Sequence, residues 1–145
     1  MQILRTEWKP ILFGSLLAIV LGIGAYTALG QALGPDSRMY DPKTETTVTG
    51  VVREVKEVAG GGRGTGTHLV VKTDSGVIEV HVGPSWYLKQ QNCEFKKDGE
   101  VKVLGSKVKF EGADILIARQ IKTSDTTWTL RDAQGIPAWS HGRNQ

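Results

Sequence analysis

From Ile11 to Leu33 the chain reads ILFGSLLAIVLGIGAYTALGQAL, 23 residues without a charge. At about 1.5 Å of rise per residue, roughly 20 apolar residues cross a bilayer, so this run is long enough to span one. Arg5 and Lys9 precede it and Trp8 sits where an interfacial aromatic belongs. The positive-inside tendency then places residues 1–10 in the cytoplasm and everything from about Gly34 onward on the other side. The alternative is a cleaved signal peptide, with Gly30-Gln31-Ala32 as a small-x-small site. The run exceeds the roughly 7–15 residues of a signal core, which favours an uncleaved transmembrane helix over 11–33. Gly14, Ala18 and Gly22 recur at four-residue spacing along it, followed by Ala25. Such a stripe lets a second helix approach closely, a main source of helix affinity in lipid. The general abundance of glycine in membrane helices would produce the same stripe without a partner.

Past residue 33 the pattern changes. Gly34-Pro35 stops the helix, and residues 34–45 read as a polar linker holding Tyr40 and Pro42. Alternation then predicts strands over Thr47–Val58 (TVTGVVREVKEV), His68–Thr73 (HLVVKT) and Gly76–Val82 (GVIEVHV). GPSWYLKQQN suits a short helix, and Glu100–Phe110 follows as a strand with Gly105 marking a bend or bulge. The fifth strand is ADILIARQIK, and a shorter piece, TTWTL, precedes a turn and a tail. Three strands, one helix and two strands is the order of the OB-fold, a five-stranded Greek-key barrel. The expected class is therefore mainly β: an OB-like barrel over 46–122 with one short helix, a transmembrane helix before it, and an extra strand and tail over 123–145. On TVTGVV, GVIEVHV and ILIARQIK the chain resembles the bacterial periplasmic OB-fold families between Thr46 and Lys122. The resemblance implies a fold and a periplasmic address at the bacterial inner membrane; it carries no catalytic motif.

Between the first two strands lies AGGGRGTGT, five glycines around Arg63. A phosphate-binding P-loop needs GxxxxGK[ST] with a helix after it, and a dinucleotide fingerprint also opens a helix. Here the lysine is missing and a strand follows. Single-strand nucleic-acid binding on an OB barrel needs a basic groove and aromatic platforms. The first three strands hold no Phe, Tyr or Trp, and the net charge is only +3. Nucleic acid is not expected as a partner. The loop, with Arg63, reads as a connector that orders against a neighbouring protein surface.

The hairpin around Asp74-Ser75 can be registered from its core residues and the position of its turn. Leu69 and Val71 must share a face with Ile78, Val80 and Val82, and with a tight turn at Asp74-Ser75 Leu69 meets Val80 and Val71 meets Ile78. His68 then lies across from His81 on the outer face, beside Glu79. A turn centred on Ser75-Gly76 would make the two histidines diagonal neighbours instead. Two histidines and a carboxylate are a weak candidate metal set, since two outward histidines on a half-buried sheet need no ligand. Cys93 is the only cysteine, which excludes an intrachain disulfide and a CxxCH haem attachment. Trp86 and Tyr87 read as barrel plug or edge, and Trp128 as packed on the barrel. Trp139, in the tail IPAWSHGRNQ, has no evident partner in its own chain and reads with Trp86 as an interface anchor. No triad order, carboxylate pair or activated cysteine is recognisable, so no enzyme activity and no cofactor are expected.

These features describe an accessory subunit, its helix packed among other membrane helices and its barrel holding a neighbouring subunit on the extracytoplasmic face. Electron-transport and photosynthetic assemblies are hosts that fit. A second layout is similar: the haem chaperone of cytochrome c maturation also joins a membrane helix, a periplasmic OB barrel and a flexible tail. That family binds haem through HxxxY after its barrel. The tail here has His141 in WSHGRNQ, without a tyrosine four residues on.

Overall fold

Six strands dominate the computed structural model, which describes residues 35–60 and 64–140. They are β1 (Glu45–Ala59), β2 (Thr65–Thr73), β3 (Gly76–Pro84), β4 (Glu100–Phe110), β5 (Ala113–Lys122) and β6 (Thr127–Thr129). Two short helices, α1 (Pro35–Met39) and α2 (Ser85–Gln90), and a 3-10 turn at Pro42–Thr44 complete them. The membrane segment expected at 11–33, with Gly14, Ala18 and Gly22, lies outside the described residues, as do Arg63 and His141. Among the described residues no helix is long and apolar enough to cross a membrane.

The strand order is β3-β2-β1-β4-β5-β6, and β3 also pairs with β5 in parallel through Glu79↔Ile115, Val80↔Leu116 and His81↔Ile117. That last pairing closes β1 to β5 into a barrel with the OB arrangement. β1 is long because it serves two neighbours: its first half, to Val51, pairs with β4, and the rest pairs with β2. Two glycines stand where strands cross too closely for a side chain. A Cβ on Gly50 would lie 2.7 Å from Val71 Cγ1 and 2.9 Å from the Lys72 carbonyl carbon. One on Gly105 would lie 2.9 Å from the Ile117 carbonyl carbon, at the register shift between Leu104 and Gly105. Gly105 thus marks the expected bulge.

The barrel interior holds Val52, Leu69, Val71, Val80, Val82 and Leu116. Leu88 of α2 and Leu130, just past β6, pack into the same core. A second cluster sits outside the barrel, where Tyr40 covers Ile115 and Ile117 with Met39 and Val108 beside it. β5 is therefore buried on both faces, the physical reason for its unbroken apolar run Ile115–Ala118.

This second cluster includes Met39 and Tyr40, which lie in the stretch expected as a linker at 34–45. Residues 35–44 fold onto the barrel because the outer face of β5 is apolar and needs cover. The Tyr40 hydroxyl donates to Glu45 Oε1 at 2.5 Å. The Asp41 backbone N–H donates to Ser106 Oγ at 3.0 Å, and Thr44 Oγ1 lies 2.8 Å from that same fully buried hydroxyl. The segment after β6 is equally integral. Leu130 N–H donates to Arg119 O at 2.7 Å, and Arg131 bridges to Pro137.

Candidate functional site

The β2–β3 hairpin closes with Thr73 opposite Gly76, which sets Leu69 against Val80, Val71 against Ile78 and His68 against His81. Leu69, Val80 and Val82 point into the core, so His68, Glu79 and His81 project from the opposite face. β1 adds Lys56 directly beside His68. The two imidazoles stack, with centroids 3.8 Å apart and planes 19° from parallel.

Each ring is held by a carboxylate. His68 Nδ1 donates to Glu79 Oε1 at 2.8 Å, and Lys56 Nζ approaches Glu79 Oε2 at 3.5 Å. His81 Nδ1 donates to Asp36 Oδ1 at 3.0 Å, and the edge of Phe110 packs on its ring. His81 points outward, yet its side chain is only 4% exposed because α1 covers it. Burial holds the His68 pKa below its ordinary value, His81 adding to the effect against the pull of Glu79. For Asp36, burial pushes the pKa up, but the hydrogen bond and charge of His81, with Arg131 and His68, outweigh it and leave the carboxyl below its usual range.

Arg131 joins the two ends of the described chain. It is buried, its guanidinium lying 4.8 Å from the Trp139 ring centroid and 6.0 Å from that of Tyr40. Burial lowers its pKa to about 10, against the pull of Asp36 and Tyr40. Beside it, Arg119 Nη1 donates to both oxygens of Glu45 at 2.9 Å.

The structure brings His68, Glu79 and His81 together as the hairpin register requires, and adds Asp36, which the sequence reading left in a linker. The signal for Asp36 was Pro35-Asp36, a helix-start pair, followed by the apolar Met39-Tyr40. Trp139 is not an isolated side chain, contrary to expectation. It packs over Gly83, 5.4 Å from the Tyr87 centroid and against Arg131. Trp86 stands 46% exposed rather than plugging the barrel, while Trp128 packs against Phe95 at the core's edge.

Cys93 is buried beside Leu88, and burial pushes its thiol up to about 12. The thiolate is the reactive form, so a maleimide at pH 7.5 is expected to leave the folded protein unmodified and to label it fully in denaturant. Rapid labelling of the folded protein would contradict this packing.

No curated protein matches the chain in sequence. Among solved structures it is similar to a chain of a replication protein A heterotrimer bound to ssDNA, 20% identical, with a TM-score of 0.44 over 57% of this chain and 59% of that one. It is similar to a chain of the S. pombe Stn1-Ten1 complex, 15% identical, with a TM-score of 0.45 over the same shares. It is also similar to the N-terminal domain of PriB from Thermoanaerobacter tencongensis, 14% identical, with a TM-score of 0.41 over 58% of this chain and 99% of that one. The chain spans less than two thirds of the first two. At these scores the likenesses carry no argument about ligands, and the barrel stands on its own strand pairing. Residues 44–128 take in all five barrel strands and more than half of the chain, and by their match the chain belongs to the MamS/MamX magnetosome protein family.

Proposed function

We propose that this protein is a non-catalytic accessory subunit of a magnetosome membrane assembly, its OB-like barrel docking against neighbouring subunits. The family match over the barrel carries this reading and favours a magnetosome host over the electron-transport and photosynthetic assemblies that also fit the sequence. On this reading residues 11–33 anchor the chain in a bacterial membrane, with the N-terminus cytoplasmic and the barrel on the opposite face. The glycine stripe contacts a partner helix, while Arg63 and Trp86 contact a partner domain. The absence of Phe, Tyr and Trp from β1, β2 and β3 argues against base stacking on the barrel.

Trp86 is the test. It is the most exposed aromatic among the described residues and extends from the first turn of α2. Truncating an interface tryptophan typically costs about 2 kcal/mol or more. That is roughly a thirtyfold loss of affinity. Trp86→Ala in the full chain is expected to lose its co-purifying subunits in mild detergent while its melting temperature stays within about a degree, as for a surface change. Undiminished recovery of partners would remove Trp86 from the interface.

A further inference from the structure

We propose that Asp36, His68 and His81 form a binding site for a divalent first-row transition-metal ion, with Glu79 orienting the two imidazoles from outside. The proposal rests on the geometry of the outer β2–β3 face and on no assumption about the host assembly.

The three side chains each present one ligand atom, all within 4.8 Å of one another. Donors on one ion, at metal–ligand distances of about 2.1 Å, lie about 3.0 Å apart at a right angle and about 3.4 Å apart at a tetrahedral one. Asp36 Oδ1 and His81 Nδ1 already stand at 3.0 Å. Closing the set around one ion shortens its longest separation by about 1.5 Å and turns the His68 ring out of its stack on His81, because parallel rings do not aim their lone pairs at one point. Two imidazoles and a carboxylate are the borderline donor set that suits Fe(II) and Zn(II) rather than Mg(II) or Ca(II).

The outer shell is what such a site uses. Glu79 accepts the His68 Nδ1 proton, which fixes the tautomer and leaves Nε2 with its lone pair for the ion. Coordination through His81 Nδ1 moves that ring's proton to Nε2, which lies 3.8 Å from the same Glu79 oxygen. One carboxylate then steadies both ligands. Lys56 and Arg131 offset the two carboxylates, so the face is close to neutral before a cation arrives. Side-chain exposures of 15% for His68 and 26% for Asp36 leave a way in for the ion and room for water to fill the remaining positions. An ion held there would tie the segment that follows residue 34 to the barrel wall.

The test is titration of the full chain, purified in detergent and stripped with chelator, with Zn(II), with Fe(II) under anaerobic conditions, and with Co(II) as an absorbing probe. One equivalent is expected to bind, and Co(II) is expected to develop visible bands of a nitrogen- and oxygen-ligated ion. Asp36→Asn and His68→Gln are expected to abolish the bands. Glu79→Gln is expected to weaken binding by about tenfold, the usual effect of losing an outer-shell partner. The protected Cys93 thiol serves as the folding check in every variant, so an unfolded His81→Ala would not obscure the answer from the other two. Failure of the full chain to bind any of the three ions would overturn the proposal. So would binding that survives Asp36→Asn and His68→Gln unchanged, or binding that His141→Ala alone abolishes.

Discussion

Gly50→Val is expected to unfold the barrel. The new Cβ would press on the Lys72 main chain, with its carbonyl carbon 2.9 Å away, and on Val71 Cγ1 at 2.7 Å. A flexible side chain could rotate aside, but the Lys72 backbone is held in the β1–β2 ladder, where Val51 pairs with it. Relief therefore requires prising β2 from β1, the step that opens the barrel. Overpacking a core costs about 1–3 kcal/mol when side chains can give. A main-chain collision belongs above that range, against a typical domain stability of about 5–15 kcal/mol. Gly66→Ala is the control: it also changes a strand glycine, but the new Cβ would meet nothing closer than 3.8 Å. Urea denaturation should show Gly66→Ala within about 1 kcal/mol of the parent. Gly50→Val should have lost its cooperative transition or at least about half its stability. A Gly50→Val protein as stable as the parent would mean that β1 and β2 do not cross as closely as described.

Most barrel strands were legible from alternating apolar residues and β5 from its apolar run, and the β2–β3 register followed from the shared core face together with a tight turn at Asp74-Ser75. The placement of His68 across from His81 was legible for the same reason, with a diagonal placement as the alternative, whereas the stacking of their rings was not. Asp36 and Tyr40 were not. A five-residue helix has too few turns to leave a period, and α1 is held by the outer faces of β3 and β5 rather than by its own pattern. The run Ile115–Ala118 contained the missing signal, since a strand apolar on both faces requires a second layer. The β1 irregularity between Val52 and Glu54 also had a trace in the sequence. The valine spacing lengthens to three residues at Val52, Val55 and Val58, and the last two are 38% exposed. Tertiary contacts between distant segments left no such trace, and Trp139 is the clearest case.

Trp139→Ala is expected to destabilise the protein itself, whatever it also does to assembly. The indole covers Gly83, where even a Cβ would come within 2.9 Å of its ring, and it tilts against Tyr87 at 5.4 Å. These partners lie more than 50 positions earlier in the chain, which is why the tail alone made Trp139 look unpartnered. The ring also supports the Arg131 guanidinium at 4.8 Å. Truncating a fully buried tryptophan costs about 3–5 kcal/mol, and this one is half-buried, so the apolar part falls to about 2 kcal/mol. Loss of the cation–π contact at a buried arginine adds about 1–2 kcal/mol. The sum, about 3 kcal/mol, should lower the melting temperature by roughly 10 °C for a domain of this size. Trp139→Phe keeps an aromatic face for Arg131 and should recover about half of that loss. A docking role alone predicts something different: unchanged thermal stability of the purified chain, with partners lost on co-purification. A melting temperature in Trp139→Ala equal to the parent's would therefore assign the residue to an interface. The drop expected here makes it the clasp that holds the C-terminal segment on the barrel, with Arg131 between it and Tyr40 of the N-terminal one.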